Sequence, residues 1–119
     1  MKSNFAKFLG LEVEEVRSDY VRVSGRVKDE YLNLHNTAHG SFIFSLADVA
    51  FELITNLDKK SVALQMSVYF RRPARPGEKL TAEAFPESIG RTTSLYKIVV
   101  KNEEGKEVAY FDALVYHLS

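Results

Sequence analysis

The chain has 119 residues, 45% of them hydrophobic, and its 16 basic and 16 acidic side chains leave no formal net charge. This length predicts a single domain, residues 1–119, with enough apolar side chains for a core. The balanced charge argues against a nucleic-acid-binding protein. The absence of cysteine excludes disulfides, thiolate catalysis and cysteine-ligated zinc.

The beginning of the chain gives no sign of export or of membrane insertion. Its first fifteen residues, MKSNFAKFLGLEVEE, lack the continuous apolar core of a signal peptide. The longest apolar-rich run carries two carboxylates and is shorter than the roughly 20 residues that span a bilayer. We therefore expect a cytoplasmic protein that binds neither nucleic acid nor membranes.

The N-terminal third predicts a short helix followed by a β-hairpin. Apolar residues recur at helical spacing in Asn4–Gly10, and the run ends in glycine. Leu11–Val16 and Tyr20–Lys28 follow, and the second run shows the alternation of a half-buried strand. Ser18-Asp19 supplies a turn between them, so the two runs predict a hairpin. Tyr31–Ala38 is a polar loop that leads into the next element.

Ser41–Thr55 is the longest helical pattern in the chain, and it is apolar almost all round. Its five polar residues follow one another at spacings of 4, 3, 4 and 3, which places them on one stripe of a helix: Ser41, Ser45, Asp48, Glu52 and Thr55. The stripe is open to two interpretations. It is either the solvent face of an amphipathic helix, or it carries Asp48 into a buried site where an unpaired carboxylate shifts its pKa.

The residues before this helix favour the second interpretation. His39-Gly40-Ser41 lies at the predicted helix start, where backbone N–H groups are unpaired and the dipole is positive. Glycine lets a ligand approach closely, so the Gly40 N–H is a candidate oxyanion donor. Gly40 and Asp48 are roughly 12 Å apart along a straight helix, at about 1.5 Å per residue. Either one of them is not catalytic, or two chains face each other and share each site. We favour the second and therefore predict a dimer with shared sites.

The pattern after this helix is β throughout. Val62–Phe70, Lys79–Phe85, Thr92–Lys101 and Glu107–Leu118 read as strands joined by turn-forming residues. The predicted order is helix, two strands, long helix and four strands, which gives an α+β domain with a mostly antiparallel sheet wrapped over one long helix. A single helix covers one face of such a sheet, so the other face meets water or another chain.

The order of elements and the stretch LNLHNTAHGSFIFSLAD resemble the hotdog fold and, within it, the phenylacetate-pathway (PaaI-like) acyl-CoA thioesterases. That family carries roughly N-x5-H-G-[GS]-x6-D, matched here by Asn33, His39, Gly40, Ser41 and Asp48. Two weaker features are the aromatic-Arg-Pro-Ala run at 69–78 and the Gly-basic-Thr turn at 90–92. The resemblance covers nearly the whole chain.

This resemblance implies a hydrolase that converts an acyl- or aryl-CoA thioester to free acid and CoA. Asp48 would act as general base or as nucleophile, and the Gly40 N–H would bind the thioester oxygen. Asn33 would position the water or the carbonyl, although an asparagine in this loop is also consistent with a turn. His39 would orient the loop or touch the thioester, although a histidine at a helix start is as often a cap.

The resemblance also implies a homodimer or homotetramer with its sites at the subunit interface, and neither a cofactor nor a metal. Arginine forks suit phosphate oxygens, so basic residues near the two weaker motifs are candidates for binding CoA. The predicted substrate-binding set is Ser41, Arg72, Arg75, Gly90, Arg91 and Thr92. Each arginine is also consistent with ordinary surface charge.

Two other functions remain open. One is a non-catalytic module that binds acyl-CoA or regulates another protein, against which the presence of Asp48 argues. The other is a hotdog hydratase or dehydratase, whose relatives commonly carry a His-Phe-Pro-Gly-like loop; the one Phe-Pro pair here, Phe85-Pro86, has no histidine before it. Glu52, one turn beyond Asp48, is either a second carboxylate that raises a pKa or a partly exposed helix glutamate.

Overall fold

A computed structural model describes residues 2–119 of the chain. In chain order its elements are helix α1 (Asn4–Phe8), strands β1 (Glu12–Arg17) and β2 (Tyr20–Arg26), a 3-10 turn (Asp29–Tyr31), helix α2 (Gly40–Thr55), and strands β3 (Ser61–Phe70), β4 (Lys79–Ile89), β5 (Thr93–Lys101) and β6 (Glu107–His117). The predicted order of elements and the α+β class are confirmed. Within residues 2–119, no helix combines the length and the apolar character needed to cross a bilayer.

The six strands form one sheet in the order β1-β2-β4-β5-β6-β3, and every neighbouring pair is antiparallel. Helix α2 packs across one face of this sheet. Alternate side chains of each strand point at the helix, as Leu80, Ala82 and Ala84 of β4 do, and they are fully buried. Burying a side chain such as Leu46 of α2 contributes about 2–3 kcal/mol, so this layer anchors the helix.

One glycine fixes how closely α2 approaches the sheet. A Cβ at Gly25 of β2 would lie 2.5 Å from Leu11 Cδ2 and 3.4 Å from the ring of Phe42 in α2. A real Cβ would displace these side chains, so the missing side chain lets the first turn of α2 settle onto β2. The start of the helix is therefore placed by the sheet.

Strand β4 is longer than the sequence predicted, because it runs to Ile89 instead of ending at Phe85. The prediction stopped before Pro86, which has no N–H to donate to a strand ladder. In the structure the pairing with β5 changes register between Pro86 and Ser88. A bulge of this kind is one of the few places where a sheet accommodates proline, and the strand continues past it.

The face of the sheet away from α2 carries a row of ion pairs that runs from β1 across β2 and β4 to β5. Glu14 Oε2 lies 2.9 Å from Lys79 Nζ, Glu14 Oε1 lies 3.2 Å from Arg22 Nε, and Glu83 Oε1 lies 3.0 Å from Lys101 Nζ. The pairs Glu14–Arg22 and Glu83–Lys101 join neighbouring strands, where opposite charges stabilise the pairing, and Lys79 of β4 reaches Glu14 of β1 across β2. This part of the outer face is therefore charged and internally paired.

Candidate active site

Helix α2 begins with one backbone donor left free. His39 is the N-cap, and its Nδ1 accepts the Ser41 N–H at 3.0 Å. The His39 carbonyl accepts from Phe42 N–H at 3.0 Å and Ile43 N–H at 3.3 Å. Of the first four N–H groups of the helix, only that of Gly40 has no acceptor among residues 2–119. It lies at the positive end of the helix dipole, which suits an oxygen that gains negative charge.

The loop before the helix is organised by Asn33. Its Oδ1 accepts the backbone N–H of His35 at 2.8 Å and of Thr37 at 3.1 Å, and its Nδ2 donates to Thr37 Oγ1 at 2.9 Å. The Ala38 N–H donates to the carbonyl of Ala74 at 2.9 Å, which ties the loop to the Arg-Pro-Ala run. The predicted site residue Asn33 thus shapes the turn that presents His39 and Gly40.

Gly40 lies directly against Phe70, the last residue of β3. A Cβ at position 40 would be 3.2 Å from Phe70 Cζ, tighter than an ordinary contact, so glycine allows this close approach. The Phe70 ring remains 53% exposed. The free N–H and the C-terminal end of β3 are therefore neighbours.

Asp48 lies two turns further along α2, in a groove of about 680 Å³ between α1, α2 and the start of β3. The groove is lined by Lys2, Ser3, Phe5, Asp48, Val49, Phe51, Glu52, Leu53, Thr55, Asn56, Lys60, Ser61, Val62 and Ala63. The Asp48 carboxylate has no hydrogen-bond or ion-pair partner among the residues described. Burial raises its pKa above the ordinary value of an aspartate, although the side chain is still open to solvent in the single chain.

The polar stripe of α2 fits neither sequence interpretation completely. Ser41, Asp48 and Glu52 are exposed, so the stripe is the uncovered side of the helix in one chain. Thr55 is buried and donates to the carbonyl of Phe51 at 2.8 Å, which satisfies it within the helix. The groove nevertheless removes enough water around Asp48 to raise its pKa. The part of the stripe from Asp48 to Thr55 therefore lines a partly dehydrated groove.

Gly40 and Asp48 do not meet within one chain. Eight helical positions separate them, roughly 12 Å at about 1.5 Å per residue. They are also associated with opposite ends of β3, because Gly40 contacts Phe70 while the groove of Asp48 is lined by Ser61, Val62 and Ala63. A ten-residue strand is about 33 Å long.

The candidate CoA-binding residues are divided in the same way. Arg72 and Arg75 are exposed and follow the C-terminal end of β3, and Arg72 Nη1 donates to the carbonyl of Glu107 at 2.8 Å. The 90–92 turn joins β4 to β5 at the other end of the sheet, where the Thr92 carbonyl accepts from His117 N–H at 2.8 Å. One chain does not bring these two groups together.

Comparison with known proteins decides the family. The sequence profile of the thioesterase superfamily matches residues 35–109. The chain belongs to the thioesterase superfamily. It is 46% identical over 109 residues to a putative esterase of Deinococcus radiodurans, covering 91% of this chain and 75% of that protein.

Two further comparisons show which members of the superfamily this thioesterase resembles. It is 36% identical over 107 residues to the acyl-coenzyme A thioesterase PaaI of Escherichia coli, covering 89% of this chain and 76% of that protein. The crystal structure of the TT0310 protein from Thermus thermophilus superposes with a TM-score of 0.95 at 38% identity, covering 99% of this chain and all of that one. The predicted hotdog fold, PaaI-like family and thioester hydrolase class are confirmed.

Sequence reasoning missed a bridge that holds the 90–92 turn of this thioesterase. His117 Nδ1 lies 2.8 Å from Ser61 Oγ, and its Nε2 lies 2.8 Å from Ser94 Oγ. The Gly90 N–H in turn donates to Ser94 Oγ at 3.1 Å. The bridge joins the starts of β3 and β5 to the end of β6. Its members are far apart in the chain and match no motif, so the sequence carried no signal for it.

Within residues 2–119, histidine and acidic side chains nowhere gather in groups of three that could hold a metal ion. The groups that the site does offer are a free backbone donor at Gly40, an unpaired carboxylate at Asp48 and exposed arginines. Acyl transfer requires a donor that binds the oxyanion and a base or nucleophile.

Proposed function

We propose that this thioesterase hydrolyses an acyl- or aryl-CoA thioester to free acid and CoA at a site that two copies of the chain share. The observation that carries the proposal is the separation of Gly40 from Asp48 along an edge strand whose outer side is unpaired. The name of the E. coli relative, acyl-coenzyme A thioesterase, supports a CoA thioester as the substrate.

The pairing of two chains follows from the free edge of β3. An unpaired strand edge is a template for another strand, and this one exposes Val62, Leu64, Tyr69 and Phe70. Two copies related by a two-fold axis would pair β3 with β3 in antiparallel fashion. The C-terminal end of one β3 then lies beside the N-terminal end of the other. Gly40 of one copy thereby approaches the groove that holds Asp48 of the second.

In this arrangement the thioester oxygen accepts a hydrogen bond from the Gly40 N–H. Asp48 either deprotonates a water that attacks the carbonyl carbon, or attacks the carbon itself to give an anhydride that water then opens. In both routes the carbonyl electron pair moves onto oxygen, and the Gly40 N–H and the dipole of α2 stabilise the resulting oxyanion. Collapse breaks the C–S bond and expels CoA as a thiolate, which takes up a proton to give free CoA.

The raised pKa of Asp48 supports its role as the reactive group. A general base works best when its pKa lies near the working pH, and burial moves Asp48 in that direction. A second chain closing over the groove would remove more water and extend the same shift. Because Asp48 has no partner in residues 2–119, no ion pair has to break before it can react.

Three residues would hold the Gly40 N–H in place as an oxyanion donor: Asn33, His39 and Ser41. Asn33 holds the turn, and the His39 cap fixes the first turn of α2 while leaving the Gly40 N–H free. The Ser41 hydroxyl lies 2.8 Å from His39 Nδ1 and helps to orient the ring. With Nδ1 engaged at the cap, Nε2 is the ring atom left to face the substrate. We assign Asn33 a positioning role and His39 a place beside the thioester.

The same pairing would assemble a binding site for CoA. Arg72 and Arg75 follow the C-terminal end of β3, and the 90–92 turn lies near its N-terminal end. Antiparallel pairing brings the arginines of one copy towards Gly90, Arg91 and Thr92 of the other. Guanidinium groups bind phosphate oxygens through paired hydrogen bonds, which suits the phosphates of CoA.

The test is thiol release from a panel of aryl-, short-chain and medium-chain acyl-CoA thioesters, with wild type beside Asp48→Asn. We expect wild type to hydrolyse at least one class and Asp48→Asn to lose that activity. The panel also identifies the acyl group. Binding of CoA thioesters without thiol release from any of them would contradict the proposal and favour an acyl-CoA-binding module.

The shared site has its own test. Gel filtration with light scattering should show a homodimer or a homotetramer, and a stable active monomer would contradict the proposed pairing. A cytoplasmic location, expected from the sequence, belongs to the same proposal and is checked by cell fractionation.

A further inference from the structure

Glu52 is a second carboxylate in the groove, and its side chain forms no ion pair among residues 2–119. It lies one helical turn beyond Asp48 on the same stripe of α2. Two lysines also line the groove. Lys2 is already engaged, since its Nζ donates to the carbonyl of Leu11 at 3.1 Å and lies 3.6 Å from Glu12 Oε2. Lys60 lies beyond the end of α2 and forms no ion pair with Glu52.

Glu52 is not needed to explain the raised pKa of Asp48, because burial accounts for it. Its position bears instead on the acyl group. If the thioester carbonyl is held beside Asp48, an acyl chain that follows the groove towards the C-terminal end of α2 passes Glu52. Apolar side chains of Val49, Leu53 and Val62 form walls along this path. Glu52 is therefore the next carboxylate that the chain meets along the helix.

The distance involved is short. Four helical positions separate Asp48 from Glu52, which is about 6 Å at about 1.5 Å per residue. A four- or five-carbon acyl group covers most of this length from its thioester carbonyl. A carboxylate at the far end of such a group would come to rest against the carboxylate of Glu52. Two carboxylates this close repel each other, and the repulsion is stronger once a second chain covers the groove and excludes water.

We propose that Glu52 is a specificity-determining residue that excludes short acyl groups ending in a carboxylate, such as succinyl and glutaryl. Uncharged acyl groups of the same length are accepted. The inference rests on the proposed function, since it assumes that the acyl group of a thioester occupies the groove beside Asp48.

The experiment measures kcat/KM for butyryl-CoA and succinyl-CoA, which have the same chain length and differ by one terminal carboxylate. The informative quantity is the ratio of kcat/KM for butyryl-CoA to kcat/KM for succinyl-CoA. We expect wild type to prefer butyryl-CoA, Glu52→Gln to lower the ratio roughly tenfold or more, and Glu52→Lys to lower it further. Glu104→Gln, in the exposed turn between β5 and β6, is the matched control and should keep the wild-type ratio.

Added salt gives a second readout, because screening weakens repulsion between charges. The preference of wild type should fall as ionic strength rises, while the ratio for Glu52→Gln should change little. Hydrolysis of butyryl-CoA with the same ratio in wild type and Glu52→Gln would overturn this inference and leave the proposed function intact.

If wild type releases thiol from no acyl-CoA, the proposed function fails, and the same ratio is then measured with dissociation constants for the two thioesters. Tighter binding of succinyl-CoA by Glu52→Gln than by wild type would support the exclusion. Equal binding of both thioesters by both proteins would overturn it.

Discussion

Glu14 and Asp48 are carboxylates of the same chain in opposite situations. Glu14, on the outer face of the sheet, accepts from Ser24 Oγ at 2.6 Å and lies 2.9 Å from Lys79 Nζ, and these contacts lower its pKa to about 2. Asp48 has no partner in the described chain, and burial raises its pKa. The first carboxylate stabilises the fold. The second is held in a state that costs stability, as the proposed role of Asp48 as the reactive group requires.

The backbone shows the same contrast at the start of α2. His39 satisfies the N–H groups of Ser41, Phe42 and Ile43, while the Gly40 N–H stays free. The residues that hold the fold together have their partners, and the two groups proposed for catalysis lack them. Substitutions at the two kinds of position should therefore have opposite effects on activity and stability.

The largest effect is expected from Asp48→Asn. Losing the base or nucleophile should lower kcat by roughly 10²- to 10⁴-fold, because proton transfer and nucleophilic attack both need the carboxylate. Thiol release from the best acyl-CoA measures the loss. Asp19→Asn, in the exposed turn between β1 and β2, is the control and should retain wild-type activity. Equal activity of Asp48→Asn and wild type would remove Asp48 from the mechanism.

Comparing Gly40→Pro with Gly40→Ala separates the effect of losing the N–H donor from the effect of crowding at this position. Proline is tolerated at the first position of a helix, and His39 has the extended backbone that a residue before proline needs. Both variants press on Phe70, but only Gly40→Pro removes the donor. We expect Gly40→Pro to lower kcat by roughly 10²- to 10³-fold and Gly40→Ala to lower it much less. Equal losses would point to crowding by Phe70 instead of oxyanion binding.

Glu14→Gln should affect stability and leave the reaction alone. The variant loses charged hydrogen bonds on the sheet face, and we expect the free energy of unfolding to fall by about 1 kcal/mol at pH 7. The stabilisation by Glu14 is present above its ordinary pKa of 4.5 and is lost as the pH falls towards about 2. Wild type and variant should therefore converge in acid, as measured by denaturant unfolding. A loss of the same size at pH 2 would contradict this origin.

The smallest effect is a gain in stability from Asp48→Asn. Because the folded state raises the pKa of Asp48, the folded protein binds a proton there more tightly than the unfolded chain. The resulting penalty is present at neutral pH and disappears below the ordinary pKa of 3.8. Thermal unfolding should show a slightly higher Tm for Asp48→Asn at pH 7 and no difference in acid. A lower Tm at pH 7 would mean that Asp48 stabilises the fold.

Much of the fold was readable from the sequence because local patterns decided it. The alternation of the strands, the apolar run of α2 and its polar stripe predicted the elements and their order. The spacing of Gly40 and Asp48 along one helix was enough to predict a shared site. Strand β4 was predicted too short because local propensity treats Pro86 as a stop, whereas the bulge that admits it depends on pairing with β5.

Other parts of the site depend on contacts that no local pattern records. The His117 bridge joins residues from three strands, and Phe70 reaches Gly40 only after the sheet and α2 have packed. The sequence left open whether Asn33 and His39 act on the substrate or serve as turn and cap residues, and only the folded loop shows the hydrogen bonds by which one organises the turn and the other caps the helix. The groove around Asp48 likewise appears only when α1, α2 and β3 are assembled.

The most direct test of the shared site is activity in mixed oligomers of Asp48→Asn and Gly40→Pro chains, made by refolding the two inactive proteins together. A verified heterodimer has one site with a native Asp48 and a native Gly40 if the two groups come from different chains. An equal random mixture should then recover about a quarter of wild-type thiol release. No recovery in verified heterodimers would mean that one chain supplies both groups, and it would contradict the shared site.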